Sequence, residues 1–297
     1  MKILEKLNNR LLWLTTYVPR EPYVKLQWRA YRTIIKKHLG YSFDLSSLKP
    51  FNYKENTDAN IIWIYWNNGI DNAPVIVKKC YESVLHNLQG DYRAVLLTAD
   101  NINEYVNIPG YLYEKRKRGI FAEAHFSDFL RISLLYLYGG IWLDATCLLS
   151  SSIPSYVNES ELFLFQTNKL QETVSPIVCS NWFIKANKEN YILGRLIQQL
   201  LGYWQQNDKL IHYYQFHLTL SAIVKTDTKA AAMWENIPYV CNMNPHVMLF
   251  SLSHDYSDFS WTHISNSCFV HKLTYKYDKT WESVSKKNIL QHILYRN

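Results

Sequence analysis

The beginning of the chain alternates apolar and basic residues at helical spacing. Met1 to Leu14 and Val24 to Leu39 each place Leu, Ile or aromatic residues at intervals of three and four, with basic residues between them. Apolar residues at these intervals form one face of an amphipathic helix. We therefore predict a basic amphipathic helical segment over 1–50, followed by the main domain over 51–297.

The main domain begins with a strand, a helix and a second strand. Ile61 to Trp66 is a continuous apolar run, typical of a buried parallel strand. A helix from Pro74 to Leu88 and a strand from Tyr92 to Thr98 complete a βαβ unit, which predicts an α/β fold. Further predicted helices are Phe121–Tyr138, Glu189–Gln206, Leu210–Val224 and Trp281–Leu294, and further predicted strands are Ile141–Leu143, Glu161–Gln166, Ile177–Ala186 and Cys268–Leu273.

Composition and cysteine spacing argue against three other classes of protein. With 48% hydrophobic and 19% charged residues, the chain has enough apolar side chains for a core, which excludes general disorder. The five cysteines are widely spaced and form no CxxC pair. A disulfide scaffold and a zinc ribbon are therefore not expected, and we expect reduced thiols.

The net charge of +7 is confined to one end of the chain. Residues 1–40 contain nine Lys or Arg and two Glu, so the remaining residues sum to zero. A basic end on a neutral body favours an anionic partner at that end. The mixture of basic and apolar residues is typical of a helix that lies on a membrane surface. The alternative is that these helices pack on the body and expose a basic face to solvent.

The sequence indicates a cytoplasmic protein. The most apolar stretch, Ile132 to Leu149, contains Asp144 and two adjacent glycines, so it is not typical of a membrane span. Charged residues also interrupt the first helix, which is unlike a secretory signal. We expect a peripheral protein on the inner face of the plasma membrane, held there by residues 1–40.

A candidate binding site lies around the end of one predicted strand. Asp128 and Arg131 are three residues apart, so they share one face of a helix. Together they can accept and donate hydrogen bonds to a polyhydroxylated ligand. Asp144 follows an apolar strand and is expected at the carboxyl edge of the sheet, where open α/β folds bind ligands. The alternative is a surface ion pair and a carboxylate that caps a turn.

The segment FSDFLRISLLYLYGGIWLDAT resembles glycosyltransferases of family 32, and within them the capsular polysaccharide synthesis branch. The segments IWIYWNNG, SNWFIKA and HKLTYKY add to this resemblance, which extends from Asn60 to Trp281. The resemblance implies a GT-A fold, a Rossmann-like mixed sheet flanked by helices. It also implies retaining transfer of a sugar from a nucleotide sugar, with Asp128 and Arg131 orienting the hydroxyls of the donor.

The resemblance further implies a divalent metal on the donor diphosphate. Asp144 matches the first position of a D-x-D motif, but Thr146 stands where the second Asp is usual. His271 matches a late histidine that completes the metal site, and this Asp–His set suits Mn²⁺ or Mg²⁺. Lys272 and Lys279 are expected to neutralise the diphosphate.

Two more residues are implied in donor binding. Trp66, at the carboxyl end of the first strand, is the candidate for stacking on the base of a UDP-sugar, whereas Trp63 is expected in the core. Asn181 of SNWFIKA is expected beside the transferred sugar, or in a turn at the end of a strand.

These observations lead to one function hypothesis and two alternatives. The hypothesis is a retaining glycosyltransferase that moves a hexose to a lipid-linked acceptor in the synthesis of a capsular or other surface polysaccharide. One alternative is a non-catalytic sugar-binding protein with a decayed metal site. The other is a nucleic-acid-binding protein, which the absence of a recognisable DNA or RNA module disfavours, so we expect no nucleic-acid partner.

Overall fold

The computed structural model describes residues 21–53, 60–171, 174–283 and 285–295. The predicted helix from Met1 to Leu14 lies outside these residues. In chain order the elements are α1 Glu21–Lys37, β1 Ile61–Tyr65, α2 Val75–His86, β2 Arg93–Leu97, α3 Ile102–Tyr105, α4 Gly110–Lys117, α5 Glu123–Tyr138, β3 Gly140–Asp144, β4 Cys147–Leu149, α6 Ser155–Asn158, β5 Leu162–Gln166, β6 Cys179–Ala186, α7 Tyr191–Gln206, α8 Gln215–Thr226, α9 Thr228–Glu235, α10 Val247–Phe250, α11 Asp258–Ser265, β7 Val270–Lys272 and α12 Ile289–Tyr295.

A central mixed sheet organises the molecule. Its strand order is β2-β1-β3-β6-β5, in which β1 runs parallel to β2 and β3, and β6 runs antiparallel to β3 and β5. A second sheet pairs β4 with β7. The predicted α/β class, with a mixed sheet flanked by helices, is confirmed.

Both faces of the central sheet are buried. Trp63 and Trp142 lie on one face, in a core cluster shared with α5 and α7, while Ile62 and Ile141 lie in a second cluster on the other face. A strand buried on both faces is apolar at every position, as IIWIY is. Trp63 is fully buried and its Nε1 donates to the carbonyl of Gly139 at 3.1 Å, which confirms the prediction that it belongs to the core.

Two glycines allow α5 to turn directly into β3. Gly139 and Gly140 have φ of 72° and 93°, in the left-handed region that other residues disfavour. A Cβ on Gly140 would lie 2.3 Å from the carbonyl oxygen of Ile61 in β1. The tight turn therefore brings β3 beside β1, and it places Asp144 at the carboxyl edge of the sheet.

Helix α1 packs on the main body. Its buried residues Ala30 and Ile34 contact Leu218 and Ala222 of α8. The opposite side of α1 is exposed and carries the basic residues Lys25, Arg29, Arg32, Lys36 and Lys37. This part of the predicted basic segment therefore contributes to the core and exposes a basic face at the same time.

Some predicted boundaries differ from the observed ones. The helix predicted over Leu210–Val224 begins only at Gln215, because the ring Nδ1 of His212 accepts the backbone N–H of Tyr214 at 3.0 Å and turns the chain. The closing helix begins at Ile289, after a 3-10 turn over Lys279–Glu282. All five cysteines are free, and no helix in the described part of the chain has the length and apolar character of a membrane span.

Candidate active site

The predicted site residues meet at one edge of the central sheet. Asp144 ends β3, and Asp128 and Arg131 project from α5, which precedes that strand. Because β6 runs antiparallel to β3, the beginning of β6, with Asn181, lies beside the end of β3. The sheet topology therefore brings together four residues from three elements.

Arg131 holds this cluster together. Its guanidinium donates to the carbonyl of Asn181 at 2.5 Å, to the hydroxyl of Ser127 at 2.8 Å and to Asp144 Oδ1 at 3.1 Å. It also lies 3.5 Å from Asp128 Oδ1, and only 4% of the side chain is exposed. These contacts occupy most of the N–H groups of Arg131, so few donors remain for a ligand. The main role of Arg131 is therefore to position its neighbours.

Asp144 is paired with two cations. Lys272 donates to Asp144 Oδ2 at 2.8 Å, and both Arg131 and Trp142 donate to Oδ1. Burial would raise the pKa of Asp144, but the charges of Lys272 and Arg131 outweigh it and hold the pKa below the usual value. Burial likewise opposes the charge of Lys272, yet Asp144 keeps the pKa of that ammonium above its usual value. Both side chains are therefore charged at neutral pH.

Asp128 has a different environment from Asp144. Its carboxylate accepts a 2.8 Å hydrogen bond from the side-chain amide of Asn181, and 13% of the side chain is exposed. Burial raises the pKa of Asp128 to about 7, against the opposing charge of Arg131 and with a contribution from Asp144. Two carboxylates of one site thus differ in protonation near neutral pH, a difference found at acid–base and binding sites.

One cavity opens beside Lys272, and we call it the lysine cavity. Its volume is about 420 Å³, and its walls include Trp66, Asn67, Asn72, Thr146, Lys272 and Tyr275. The rings of Trp66 and Tyr275 meet edge to face at 5.5 Å. An aromatic wall, side-chain amides and one ammonium suit a nucleotide, whose base stacks and whose phosphates carry negative charge.

A salt-bridge network that the sequence did not reveal supports the lysine cavity. Arg116 forms two hydrogen bonds with Glu123, at 2.7 and 2.9 Å, and a third with Asn67 Oδ1 at 3.0 Å. The hydroxyl of Tyr65 contacts the same Glu123 and Asn67. Arg116 lies in the charged run EKRKRG, whose composition was the only sequence signal for it.

A second cavity lies on the other side of Arg131 and Asp144, and we call it the histidine cavity. It has a volume of about 380 Å³ and includes Asp128 and Asn181 in its walls. Its other polar residues were missed from the sequence, although the run HYYQFH contains three of them; they include Tyr23, His125, Tyr213, Tyr214, His217 and His246. Ala124, Arg131 and Asp144 line both cavities.

The imidazole and phenol rings that line the histidine cavity are uncharged. Burial lowers the pKa of His125 and His246, and it lowers the pKa of His217 to about 3. Burial also raises the pKa of Tyr23 to about 12 and that of Tyr214 further. These rings are neutral near pH 7, so they offer hydrogen bonds without charge, as a site for hydroxyl groups requires.

The structure does not bring His271 to Asp144. The ring Nε2 of His271 contacts Ser150 Oγ at 3.0 Å and the carbonyl of Ser265 at 3.2 Å, and the side chain is fully buried there. Successive residues of a strand point to opposite sides, so Lys272 faces Asp144 and His271 faces away. The prediction that His271 shares a metal with Asp144 is corrected accordingly.

Lys279 also lies outside the cluster. Its ammonium donates to Glu282 Oε1 at 2.6 Å and to the hydroxyl of Tyr277 at 3.3 Å, and 71% of the side chain is exposed. Its predicted role at the diphosphate is not tested by this arrangement.

The residues around Asp144 do not fit a divalent metal. Mg²⁺ and Mn²⁺ favour several oxygen ligands, with carboxylate oxygens available to the metal among them. Here both carboxylate oxygens of Asp144 accept hydrogen bonds from cations or from Trp142, and Thr146 accepts from Lys272. Within the described ranges, no group of three His, Cys, Asp or Glu side chains has a metal-binding arrangement.

Fold and site together define an α/β protein with a ligand-binding site at the carboxyl edge of its sheet. The chain belongs to the capsular polysaccharide synthesis protein family, whose family model matches residues 20–293. The resemblance noted in the sequence is therefore confirmed, and the match includes α1 as well as the main domain.

Several curated proteins and solved structures are similar to parts of the chain. Glycosyltransferase afumC of Aspergillus fumigatus (strain CBS 144.89 / FGSC A1163 / CEA10) is 26% identical over 119 residues, which is 37% of this chain and 30% of that protein. O-glycosyltransferase braB of Annulohypoxylon truncatum is 26% identical over 170 residues, or 50% of this chain and 38% of that protein. The chain thus matches well under half the length of these relatives. The PaToxG glycosyltransferase structure has a TM-score of 0.38 and 14% identity, over 71% of this chain and 85% of that one.

Proposed function

We propose that this chain is a glycosyltransferase that moves a sugar from a nucleotide sugar to a growing capsular or other surface polysaccharide. One observation carries the proposal: Asp128, Arg131, Asp144 and Lys272 form a charged cluster where two cavities meet. One cavity suits the nucleoside diphosphate and the other suits hydroxyl groups. Family membership and the glycosyltransferase relatives support the same activity.

The donor in this proposal is a UDP-linked hexose. Its base stacks on Trp66, its diphosphate lies against Lys272, and its sugar extends past Asp144 to Asp128 and Asn181. The carboxylate of Asp128 accepts hydrogen bonds from sugar hydroxyls, and Arg131 positions both carboxylates. Because Asp144 is bound by two cations, it is poorly placed to attack the sugar as a nucleophile.

The proposed reaction retains the configuration of the sugar by attack on the front face. The bond from the anomeric carbon to the β-phosphate oxygen breaks, and its electron pair stays on that oxygen. The acceptor hydroxyl oxygen forms the new bond from the same face, and its proton passes to the departing phosphate oxygen. Lys272 stabilises the negative charge that develops on the leaving group, which is where preorganised charges have their largest effect.

A nucleotide-sugar screen tests this function. Thermal stabilisation by one UDP-sugar, followed by donor hydrolysis or transfer to an oligosaccharide, is the expected result. Asp128→Asn should lose turnover by about 100-fold or more while it still binds UDP. Binding of the donor with no turnover in the native protein would instead favour the non-catalytic sugar-binding alternative.

We further propose that the acceptor is lipid-linked and that α1 holds the enzyme on the cytoplasmic face of the membrane. Arg29, Arg32 and Lys36 lie along the exposed side of α1, opposite its buried face. Each basic residue near an anionic surface contributes about 1 kcal/mol, so a few together give reversible binding.

Sedimentation with vesicles tests this localisation. Truncation of α1 is unsuitable because Ile34 is buried against α8. The triple variant Arg29→Glu, Arg32→Glu and Lys36→Glu should no longer pellet with anionic vesicles. A control with the same charge change at exposed Lys117, Lys209 and Lys225 should pellet as the native protein does. Equal pelleting of both variants would show that α1 is not the membrane contact.

A further inference from the structure

Lys272 lies between the two side chains that the D-x-D pattern assigns to a metal. Its ammonium donates to Asp144 Oδ2 at 2.8 Å and to Thr146 Oγ1 at 2.7 Å. We propose that this ammonium replaces the metal: it binds the donor diphosphate directly, and the site requires no divalent cation. The inference rests on the proposed function, since it specifies how that site holds its donor.

The charges of the two arrangements are equal. A divalent cation held by two carboxylates gives a neutral unit. Thr146 in place of the second carboxylate removes one negative charge, and an ammonium in place of the divalent ion removes one positive charge. The unit of Asp144, Thr146 and Lys272 is therefore neutral as well, and the diphosphate meets the same net charge. The change in charge caused by Thr146 in place of the second Asp is thus compensated by Lys272 in place of the metal.

Both oxygens of Asp144 already accept hydrogen bonds in this arrangement. Arg131 and Trp142 donate to Oδ1 and Lys272 donates to Oδ2. A metal would have to displace an ammonium that is already paired, and it would find one carboxylate instead of two. Hard divalent cations bind weakly to such a set.

The ammonium can reach a ligand while it remains paired. A lysine ammonium has three N–H donors, and Asp144 and Thr146 accept two of them. About 20% of the Lys272 side chain is exposed, and it forms part of the wall of the lysine cavity. The remaining donor is thus available to a phosphate oxygen in that cavity.

The backbone fixes Lys272 in this position. β7 pairs with β4 so that Lys272 is opposite Cys147, and the N–H of Leu273 donates to the carbonyl of Thr146 at 2.8 Å. The cation and its hydroxyl partner are therefore held in register by adjacent backbone hydrogen bonds. Preorganisation of this kind limits the entropy lost when a ligand binds.

Calorimetry of diphosphate binding tests the proposal. UDP, GDP and inorganic pyrophosphate are titrated into the full chain in EDTA and again in Mn²⁺. We expect one of these ligands to bind most tightly, and its dissociation constants in EDTA and in Mn²⁺ should agree within about twofold. Lys272→Met should weaken that binding by about 30-fold, the loss of a charge-assisted hydrogen bond. Lys286→Met, on an exposed lysine paired with Asp255, is the matched control and should bind as the native protein does.

A double variant tests the equivalence of lysine and metal directly. Thr146→Asp with Lys272→Ala restores two carboxylates and removes the ammonium. This variant should bind the diphosphate weakly in EDTA and at least about tenfold more tightly in Mn²⁺. Electron paramagnetic resonance should then show the signal of a bound Mn²⁺ ion. A double variant that gains no Mn²⁺ response contradicts the equivalence.

The outcomes separate this inference from the proposed function. Diphosphate binding that requires Mn²⁺ in the native protein, or that survives Lys272→Met, overturns the inference and leaves the glycosyltransferase proposal intact. No binding of any of the three ligands, with or without Mn²⁺, overturns both.

Discussion

The lysine cavity and the histidine cavity share Arg131 and Asp144, yet they offer ligands opposite surroundings. On the lysine side the walls include the ammonium of Lys272, the carboxylate of Glu123, side-chain amides and aromatic rings. On the histidine side the walls include imidazole and phenol rings, and burial keeps these rings neutral. A nucleotide sugar has the same asymmetry, with its charge on the diphosphate and its uncharged hydroxyls on the sugar.

The difference arises from a few pairings and not from the overall charge. Lys272 keeps its charge because Asp144 lies beside it, whereas His217 is buried without a carboxylate partner and its pKa falls to about 3. Arg131, between the two cavities, is neutralised by the carboxylates that it positions. One wall thus separates a cavity with an ammonium from a cavity lined by neutral rings and Asp128, and the following predictions test that separation.

The largest effect is expected from Asp144→Asn, because both cavities depend on this residue. The substitution keeps the shape but removes the charge that holds Lys272 and Arg131. We expect turnover to fall by about 1,000-fold, as for the loss of a preorganised charge at a reacting centre. Steady-state kinetics measure it, with circular dichroism as the check on folding. A loss under tenfold would show that the shared wall is dispensable.

Trp66→Ala should affect the lysine side alone. Stacking of a base on an aromatic ring contributes about 1–3 kcal/mol to binding. Its loss should therefore raise the dissociation constant of UDP by about 30-fold. Pyrophosphate, which has no base, should bind as before, and Trp66→Phe should recover much of the UDP affinity. Equal weakening for both ligands would place the base elsewhere.

His217→Phe should affect the histidine side alone. The substitution keeps an aromatic ring and removes the ring nitrogens, so the KM for the sugar donor should rise by about tenfold, the effect of one hydrogen bond to the sugar. UDP binding should be unchanged. His86→Phe, at the exposed end of α2, is the control. If the UDP affinity falls as the donor KM rises, the two cavities do not bind separate parts of the donor.

A separate prediction concerns stability, and not activity, and it follows from the raised pKa of Asp128. Between the ordinary value of 3.8 and the folded value of about 7, the folded state binds more protons than the unfolded state. The free energy of unfolding therefore falls as pH rises through this window, by on the order of 2–4 kcal/mol. Asp128→Asn should flatten this dependence and raise the midpoint of thermal unfolding at pH 8 by several degrees.

The control for this measurement is Asp100→Asn, at an exposed carboxylate. It should keep the pH dependence of the native protein. Identical pH profiles for Asp128→Asn and the native protein would mean that Asp128 is not the group whose burial costs stability.

The sequence predicted those parts of the site that lie close together in the chain. Asp128, Arg131 and Asp144 lie within one helix, one glycine turn and one strand, so helical spacing and strand-end position were sufficient. It did not predict which of His271 and Lys272 faces Asp144. That choice depends on the register of β7 against β4, and β4 is a three-residue strand that no pattern indicated.

The histidine cavity was beyond prediction for a related reason. Its walls come from α1, α5, β3, β6, α8 and the loops before β6, α8 and α10, most of which are distant in sequence and meet only through packing. The pattern HYYQFH does not show whether its histidines lie in a core, in a turn or in the wall of a cavity. Only the position of α8 against the sheet distinguishes these environments.

The separation of Thr146 and Lys272 by 126 residues has a consequence for biosynthesis. A ribosome completes α5 and β3 long before it makes β7, so a growing chain has Asp144 and Arg131 without Lys272. During that interval Asp144 Oδ2 lacks the hydrogen bond from Lys272, and the nascent site lacks the ammonium that we propose binds the diphosphate. A chain that stops before Val270 would remain in that state, with its sheet strands made and its site inactive.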